Sequence, residues 1–130
     1  LLPGTTFGLG SHEYAPAREL VARGVPVAIG TDYNPGTCMC ESLVFMVVLA
    51  TRYLHLTPAE AIVAITRNAA CATGVGECAG RLEAGRPADL VVADAGDPRD
   101  LAYRIGGNPI AAVMIGGAWI GGTPEPPTSA

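Results

Sequence analysis

Val25-Pro26-Val27-Ala28-Ile29-Gly30-Thr31-Asp32-Tyr33-Asn34-Pro35-Gly36-Thr37 decides the reading of this chain. The stretch opens as a short apolar run flanked by Gly24 and Pro26, the pattern of a strand buried on both faces. It ends on an acid, breaks into an Asn-Pro-Gly turn and leads into a strongly apolar helix. In α/β folds the strand-to-helix loops converge at the C-terminal ends of parallel strands, and functional groups gather there. Asp32 is therefore the first candidate functional residue. The ordinary alternative is an aspartate that merely caps or turns a strand end.

On the upstream side, Pro16–Arg23 reads as a helix of about two turns. Ala17, Leu20 and Val21 fall at i, i+3 and i+4, and Gly24 supplies the stop. Helix, glycine, strand, acid, loop and helix is the grammar of a repeating β/α unit. Leu1–Gly4 reads as the tail of an earlier element, followed by a loop Thr5–Ser11 with Gly8 and Gly10 as flexible points. The opening Leu1 suggests a piece of something larger.

Downstream, a helix is expected from about Glu41 to Leu54. Its centre, Leu43–Ala50, is apolar all round and needs cover on more than one side. Thr57-Pro58-Ala59-Glu60 has the form of a capping box with proline at the first helical position. It predicts a helix from Pro58 to about Ala72, burying Ile62, Ile65 and Ala69. Past Val75 the pattern changes: Gly80–Asp89 is rich in turn residues and Leu90–Ala93 is a short strand. Ile110–Ile115 and Ala118–Ile120 read as strands joined by a Gly116-Gly117 hairpin. The expected organisation is a β/α unit over 1–75, a β-rich module over 76–120 and a disordered tail over 121–130.

The 130 residues are 49% hydrophobic and 15% charged, enough for one ordinary core. All eight basic residues are scattered arginines and the net charge is −4, which argues against a nucleic-acid or anionic-membrane surface. No apolar run approaches the roughly 20 residues of a membrane span, and no secretory signal opens the chain. Cys38, Cys40, Cys71 and Cys78 lack the CxxC spacing of structural zinc sites and read as reduced, mostly buried cytosolic thiols.

Several segments carry a resemblance in order along the chain. Leu1-Leu2-Pro3-Gly4, Gly30-Thr31-Asp32-Tyr33-Asn34-Pro35-Gly36-Thr37, Thr66–Gly74, Gly80–Leu90 and Tyr103–Pro109 are similar to signatures of the metal-dependent amidohydrolases. The Asp-x-Asn-Pro-Gly-Thr loop resembles, within them, the imidazolonepropionase family of histidine degradation. The resemblance implies an α/β fold: the C-terminal part of a (β/α)8 TIM-like hydrolase barrel plus part of a small β-sandwich domain. Leu1–Gly4 would end its seventh strand and Gly30–Asp32 its eighth. It also implies a cytoplasmic homodimer acting on a small molecule, with hydrolysis of the cyclic amide C–N bond of 4-imidazolone-5-propanoate to N-formimidoyl-L-glutamate.

The same resemblance implies one divalent metal ion, zinc or iron, ligated by Asp32, which also takes the proton released on attack. Asn34, Gly36 and Thr37 match positions that contact substrate. Asn34 offers a donor and an acceptor, and Gly36 lets backbone come close. Amides at a helix start would suit the propionate group. The bland alternative is an Asn-Pro-Gly turn that is just a turn. The family's His-x-His pair and its further histidine have no counterpart here. His12 sits in a Gly/Ser loop and reads as solvated, and His55 as structural. Asp89 reads as a turn or inter-domain contact, and Trp119 as sandwich core or a subunit contact. Taken alone the chain is expected to be inactive. Two other readings stay open at this point: a related cyclic amidohydrolase or deaminase, and a non-catalytic interaction module.

Overall fold

A computed structural model describes residues 1–122. The chain folds as five helices followed by a three-stranded sheet that has one more helix between its first two strands. The helices are α1 (Pro3–Gly8), α2 (Ala17–Ala22), α3 (Leu43–Tyr53), α4 (Pro58–Ile65) and α5 (Arg67–Ala72). The sheet comprises β1 (Leu90–Ala93), β2 (Ile110–Ile115) and β3 (Ala118–Gly121), with α6 (Asp100–Tyr103) between β1 and β2.

Helix α3 is the centre of the core. Ser42 caps it by accepting a hydrogen bond from the Phe45 amide at 3.1 Å. Met46, Val47, Val48, Leu49 and Ala50 are all buried, so consecutive residues around the whole helix are covered, as its all-round apolar sequence requires. Ala17, Val27, Ile29, Leu54, Leu56, Ala61 and Ala64 complete the buried cluster. Leu101 and Ala102 of α6 pack against it, so the helix that interrupts the sheet also ties the sheet to the helical layer.

The segment 25–31 differs from expectation. It is extended, but belongs to no strand ladder among the described residues. What it has is one parallel-type pairing: the Leu1 amino group donates to Ala28 O at 2.7 Å, and the Gly30 amide to Leu1 O at 3.2 Å. Leu1 and Ile29 are therefore neighbours, in the sense expected of two adjacent parallel strands. Burial falls on one face. Val27 and Ile29 are buried against the helices, while Ala28 and Gly30 are half-buried.

The expected helix 58–72 breaks in two at Thr66 (φ −116°, ψ −91°). The cause is a competition for one carbonyl. Ala64 O accepts from the Ile29 amide at 3.1 Å, which takes the acceptor that Asn68 would use to continue the helix. Asn68 Nδ2 instead donates to Val27 O at 2.9 Å, so both sides of the break are anchored on the extended segment. A further difference is α1, where a loop was expected. Pro3 opens it at a favoured position, and Phe7 meets Phe45 edge-on with ring centroids 5.5 Å apart.

The capping box at α4 forms as expected: the Glu60 amide donates to Thr57 Oγ1, and Glu60 Oε2 accepts from the Thr57 amide at 2.8 Å. Glu60 also takes a two-pronged ion pair from Arg18 at 2.8 and 2.9 Å, which fastens α2 to α4. The Arg18 hydrogen bond, then the Thr57 amide, hold the Glu60 carboxyl down at about 2. Because the folded-state pKa lies below the ordinary 4.5, the stabilisation is complete above that value. It is lost as the pH falls from there toward about 2. Both side chains are partly solvated, so the pair adds only modestly to the cap. Glu60→Gln should remove most of that at pH 7 and little near pH 2, measured by urea unfolding at the two pH values.

The sheet is antiparallel in the order β1-β2-β3, with Val91 opposite Val113 and Met114 opposite Trp119. Gly116 and Gly117 turn β2 into β3 with φ of +56° and +84°, the two positive values such a tight hairpin needs. Asp89 Oδ1 accepts from the Gly116 amide at 2.7 Å, so Asp89 is a turn contact. Trp119 lies at 39% exposure on a strand that is exposed throughout. Residues 123–130, most of the expected tail, lie outside the described residues. Among those described, no helix is long and apolar enough to cross a membrane.

Candidate active site

Asp32 ends the extended segment. Its backbone takes the left-handed conformation, φ +51°, one of two non-glycine residues to do so among the described residues. Aspartate tolerates this better than most residues, but the conformation persists only where neighbours fix it. Two neighbours do so here. Asn34 Nδ2 donates to the Asp32 carbonyl at 2.6 Å, and Thr5 Oγ1 of α1 donates to the carboxylate Oδ2 at 2.7 Å. The carboxylate is solvent-exposed, and no other hydrogen bond reaches it among the described residues.

The turn that follows is organised by Asn34. Its Oδ1 accepts from the amides of Gly36 and Thr37, each at 2.9 Å, while Nδ2 also reaches Thr37 Oγ1 at 3.0 Å. Asn34 and Cys38 then exchange backbone hydrogen bonds at 2.9 and 3.3 Å, closing the loop. Asp32, Asn34, Gly36 and Thr37 are thus brought together in one turn. Two details differ from the sequence reading. The Gly36 and Thr37 amides are turned inward onto Asn34. The following helix begins at Leu43, capped by Ser42, so these amides are not helix-start amides.

Beside the turn lies an open cleft of about 370 Å³, lined mainly by Phe7, Gly8, Gly36, Thr37, Met39 and Phe45. Gly36 and Thr37 line it; Asp32 and Asn34 do not. Its close packing against α1 depends on two glycines. A side-chain carbon at Gly8 would run into the Thr37 carbonyl oxygen, and one at Gly4 would meet Cys38 Sγ at 2.8 Å. Gly8 is therefore a point of close approach and not a flexible hinge. Neither Gly8 nor Thr5 is marked in the sequence, because local patterns carry no sign of contacts so distant along the chain, Gly8 with Thr37 and Thr5 with Asp32.

His12 and His55 are both exposed and both line a separate cleft beside the stacked Tyr14 and Tyr53 rings. His55 has φ +55°, where it turns the chain from α3 toward the α4 cap. Of the cysteines, Cys38 is buried and Cys40 half-buried, whereas Cys71 and Cys78 are exposed, which corrects the expectation of mostly buried thiols. All four are unpaired. No group of three or more His, Cys, Asp or Glu side chains that could hold a metal occurs among the described residues. The donor chemistry of Asp32 nevertheless suits one position of such a site. One carboxylate oxygen is held by Thr5, the other has no protein donor, and zinc and iron both accept carboxylate oxygen.

Comparison with known proteins gives the family. The imidazolonepropionase of Herpetosiphon aurantiacus is 46% identical over 113 residues, covering 87% of this chain and 26% of that protein. The imidazolonepropionase of Deinococcus radiodurans is 47% identical over 118 residues, covering 91% of this chain and 29% of that protein. The chain thus spans between a quarter and a third of the length of these curated relatives. Among solved structures, an adenosine deaminase from Xanthomonas campestris with bound zinc superposes with a TM-score of 0.82. It is 25% identical, over 93% of this chain and 31% of that one. The atrazine chlorohydrolase TrzN of Arthrobacter aurescens, complexed with zinc and atraton, shares the fold with a TM-score of 0.78 at 23% identity. That match covers 99% of this chain and 32% of that one. The fold is accordingly the amidohydrolase α/β type, of which these residues form a part. With the amidohydrolase family sequence pattern matched across residues 8–120, this chain belongs to the amidohydrolase family.

Proposed function

We propose that these residues are the C-terminal part of an imidazolonepropionase. The full-length enzyme would hydrolyse the cyclic amide C–N bond of 4-imidazolone-5-propanoate to N-formimidoyl-L-glutamate. The observation that carries the reading is the 40–47% identity to proteins of that name across roughly nine-tenths of the chain, the Asp32–Thr37 loop included. The activity is proposed for the whole enzyme, in which this segment supplies one metal ligand and one substrate loop. The domain division near Val75, a homodimeric assembly and a cytoplasmic location belong to the same proposal.

Asp32 would hold a divalent ion, zinc or iron, through the carboxylate oxygen that Thr5 leaves free. Such an ion supplies Lewis-acid activation, lowering the pKa of the attacking water from about 15.7 to near 7. Asp32 then accepts the proton as the new C–O bond forms at the ring amide carbon. It returns that proton to the ring nitrogen as the C–N bond breaks. Gly36 and Thr37 present the loop to substrate along the cleft they line. Asn34 contributes chiefly by shaping the loop, since its amide is already engaged on both sides.

The test is turnover by the full-length, metal-loaded enzyme. Conversion of 4-imidazolone-5-propanoate to N-formimidoyl-L-glutamate without ammonia release supports the reading. Ammonia release from an aminopyrimidine or cyclic amidine, with imidazolone left intact, would assign the chain to a deaminase instead.

A further inference from the structure

We infer that Thr5 is a positioning residue for Asp32, and the inference rests on the reading of Asp32 as a metal ligand. The two residues are 27 apart in sequence and come from different elements. Thr5 lies in the middle of α1, and its hydroxyl donates to Asp32 Oδ2 at 2.7 Å. That distance is ordinary for a hydroxyl donating to a carboxylate.

The carboxylate has two oxygens and one torsion that decides which of them faces the site. With the Asp32 carbonyl held by Asn34 and Oδ2 held by Thr5, the residue is fixed at both its main chain and its side chain. Oδ1 is then left as the free donor, with its direction set by those two contacts. Groups that orient a ligand in this way commonly change metal affinity or activity by 10–100-fold when removed. The bond is exposed, so water competes with it and it adds little to stability. Its value is in aim.

Helix α1 is itself well placed for the task. Thr5 precedes Phe7 and Gly8 on the same short helix, and these two pack against Phe45 and the Thr37 carbonyl respectively. The helix that aims Asp32 is thus the helix that seats the substrate loop. A shift of α1 would disturb both together.

The experiment compares Thr5→Val, Thr5→Ser and Asp32→Asn in the full-length enzyme, reading zinc retention against a competing chelator, thermal stability and turnover. Thr5→Val keeps the side-chain shape and removes the donor. The expected result is a 10–100-fold loss of zinc affinity with an unchanged melting temperature, restored by Thr5→Ser, which keeps the hydroxyl. If Asp32→Asn loses zinc while Thr5→Val retains it with full turnover, the positioning role is overturned and the ligand reading stands. If Asp32→Asn itself retains zinc, the ligand reading fails and takes this inference with it. A Thr5→Val enzyme that loses zinc only in step with a fall in melting temperature, and is not restored by serine, would make Thr5 structural.

Discussion

Asp32→Ala in the full-length enzyme should lower kcat by roughly 10²–10⁴-fold and weaken metal retention. The first effect follows from removing the proposed proton acceptor, since such a group typically contributes that much to proton-transfer steps. The second follows from removing the proposed carboxylate ligand, whose other oxygen is held by Thr5. Alanine also has to adopt φ near +51° here, which costs an ordinary residue about 1–2 kcal/mol. Asp32→Asn separates the two causes, because asparagine accepts the left-handed backbone and keeps the side-chain volume. It should lose turnover as alanine does while unfolding at the wild-type denaturant concentration. Stopped-flow turnover, metal content after dialysis and urea midpoints together read the three quantities. Full activity with unchanged metal content in either variant would remove Asp32 from the mechanism.

Gly8→Ala should be the most damaging change in this region that touches no proposed ligand. The added carbon would overlap a backbone oxygen, Thr37 O, which cannot swing aside like the end of a flexible side chain. Either α1 lifts from the loop or the loop moves outward. Overpacking of this kind costs about 1–3 kcal/mol. Because Thr37 also holds Asn34 through its amide and hydroxyl, the strain passes into the hydrogen bonds that define the turn. The expected outcome is a lower urea midpoint together with a raised KM for the proposed imidazolone substrate. A variant with wild-type midpoint and KM would show that α1 and the loop are not coupled. Gly10→Ala is the natural control, since a side chain there meets nothing within 4 Å, although its φ of +65° carries its own cost.

Local patterns carried much of the fold. The all-round apolar character of Leu43–Ala50 announced a covered helix, and Thr57 with Glu60 announced a capped start. Gly116-Gly117 announced a hairpin whose two positive φ values are present. What local patterns could not carry was competition between distant groups. The break at Thr66 arises because Ile29 takes the Ala64 carbonyl, a contact between residues 35 apart that no window of sequence contains. Segment 25–31 reads as a strand on its own, yet a strand is a relation to neighbours, and among the described residues only Leu1 pairs with it in strand fashion. Helix α1 was missed because Gly4, Thr5, Thr6 and Gly8 are weak helix formers. Packing of Phe7 on Phe45 decides the matter instead.

The site divides in the same way. Asp32 stands out as a candidate from its place at the end of an apolar run, and the Asn34–Thr37 segment reads as a turn from its composition. The roles within the turn were not legible. Asn34 looks from sequence like a residue free to meet substrate, whereas its amide is committed to Asp32, Gly36 and Thr37. Thr5 looked like loop and turns out to hold the carboxylate.

The most direct test of the central claim is a crystal structure of the metal-loaded full-length enzyme, with the ion located by its anomalous scattering. The account predicts one Asp32 carboxylate oxygen at about 2.0–2.2 Å from the ion, with Thr5 still bonded to the other. An ion bound in the barrel with Asp32 turned away and outside coordination distance would contradict it.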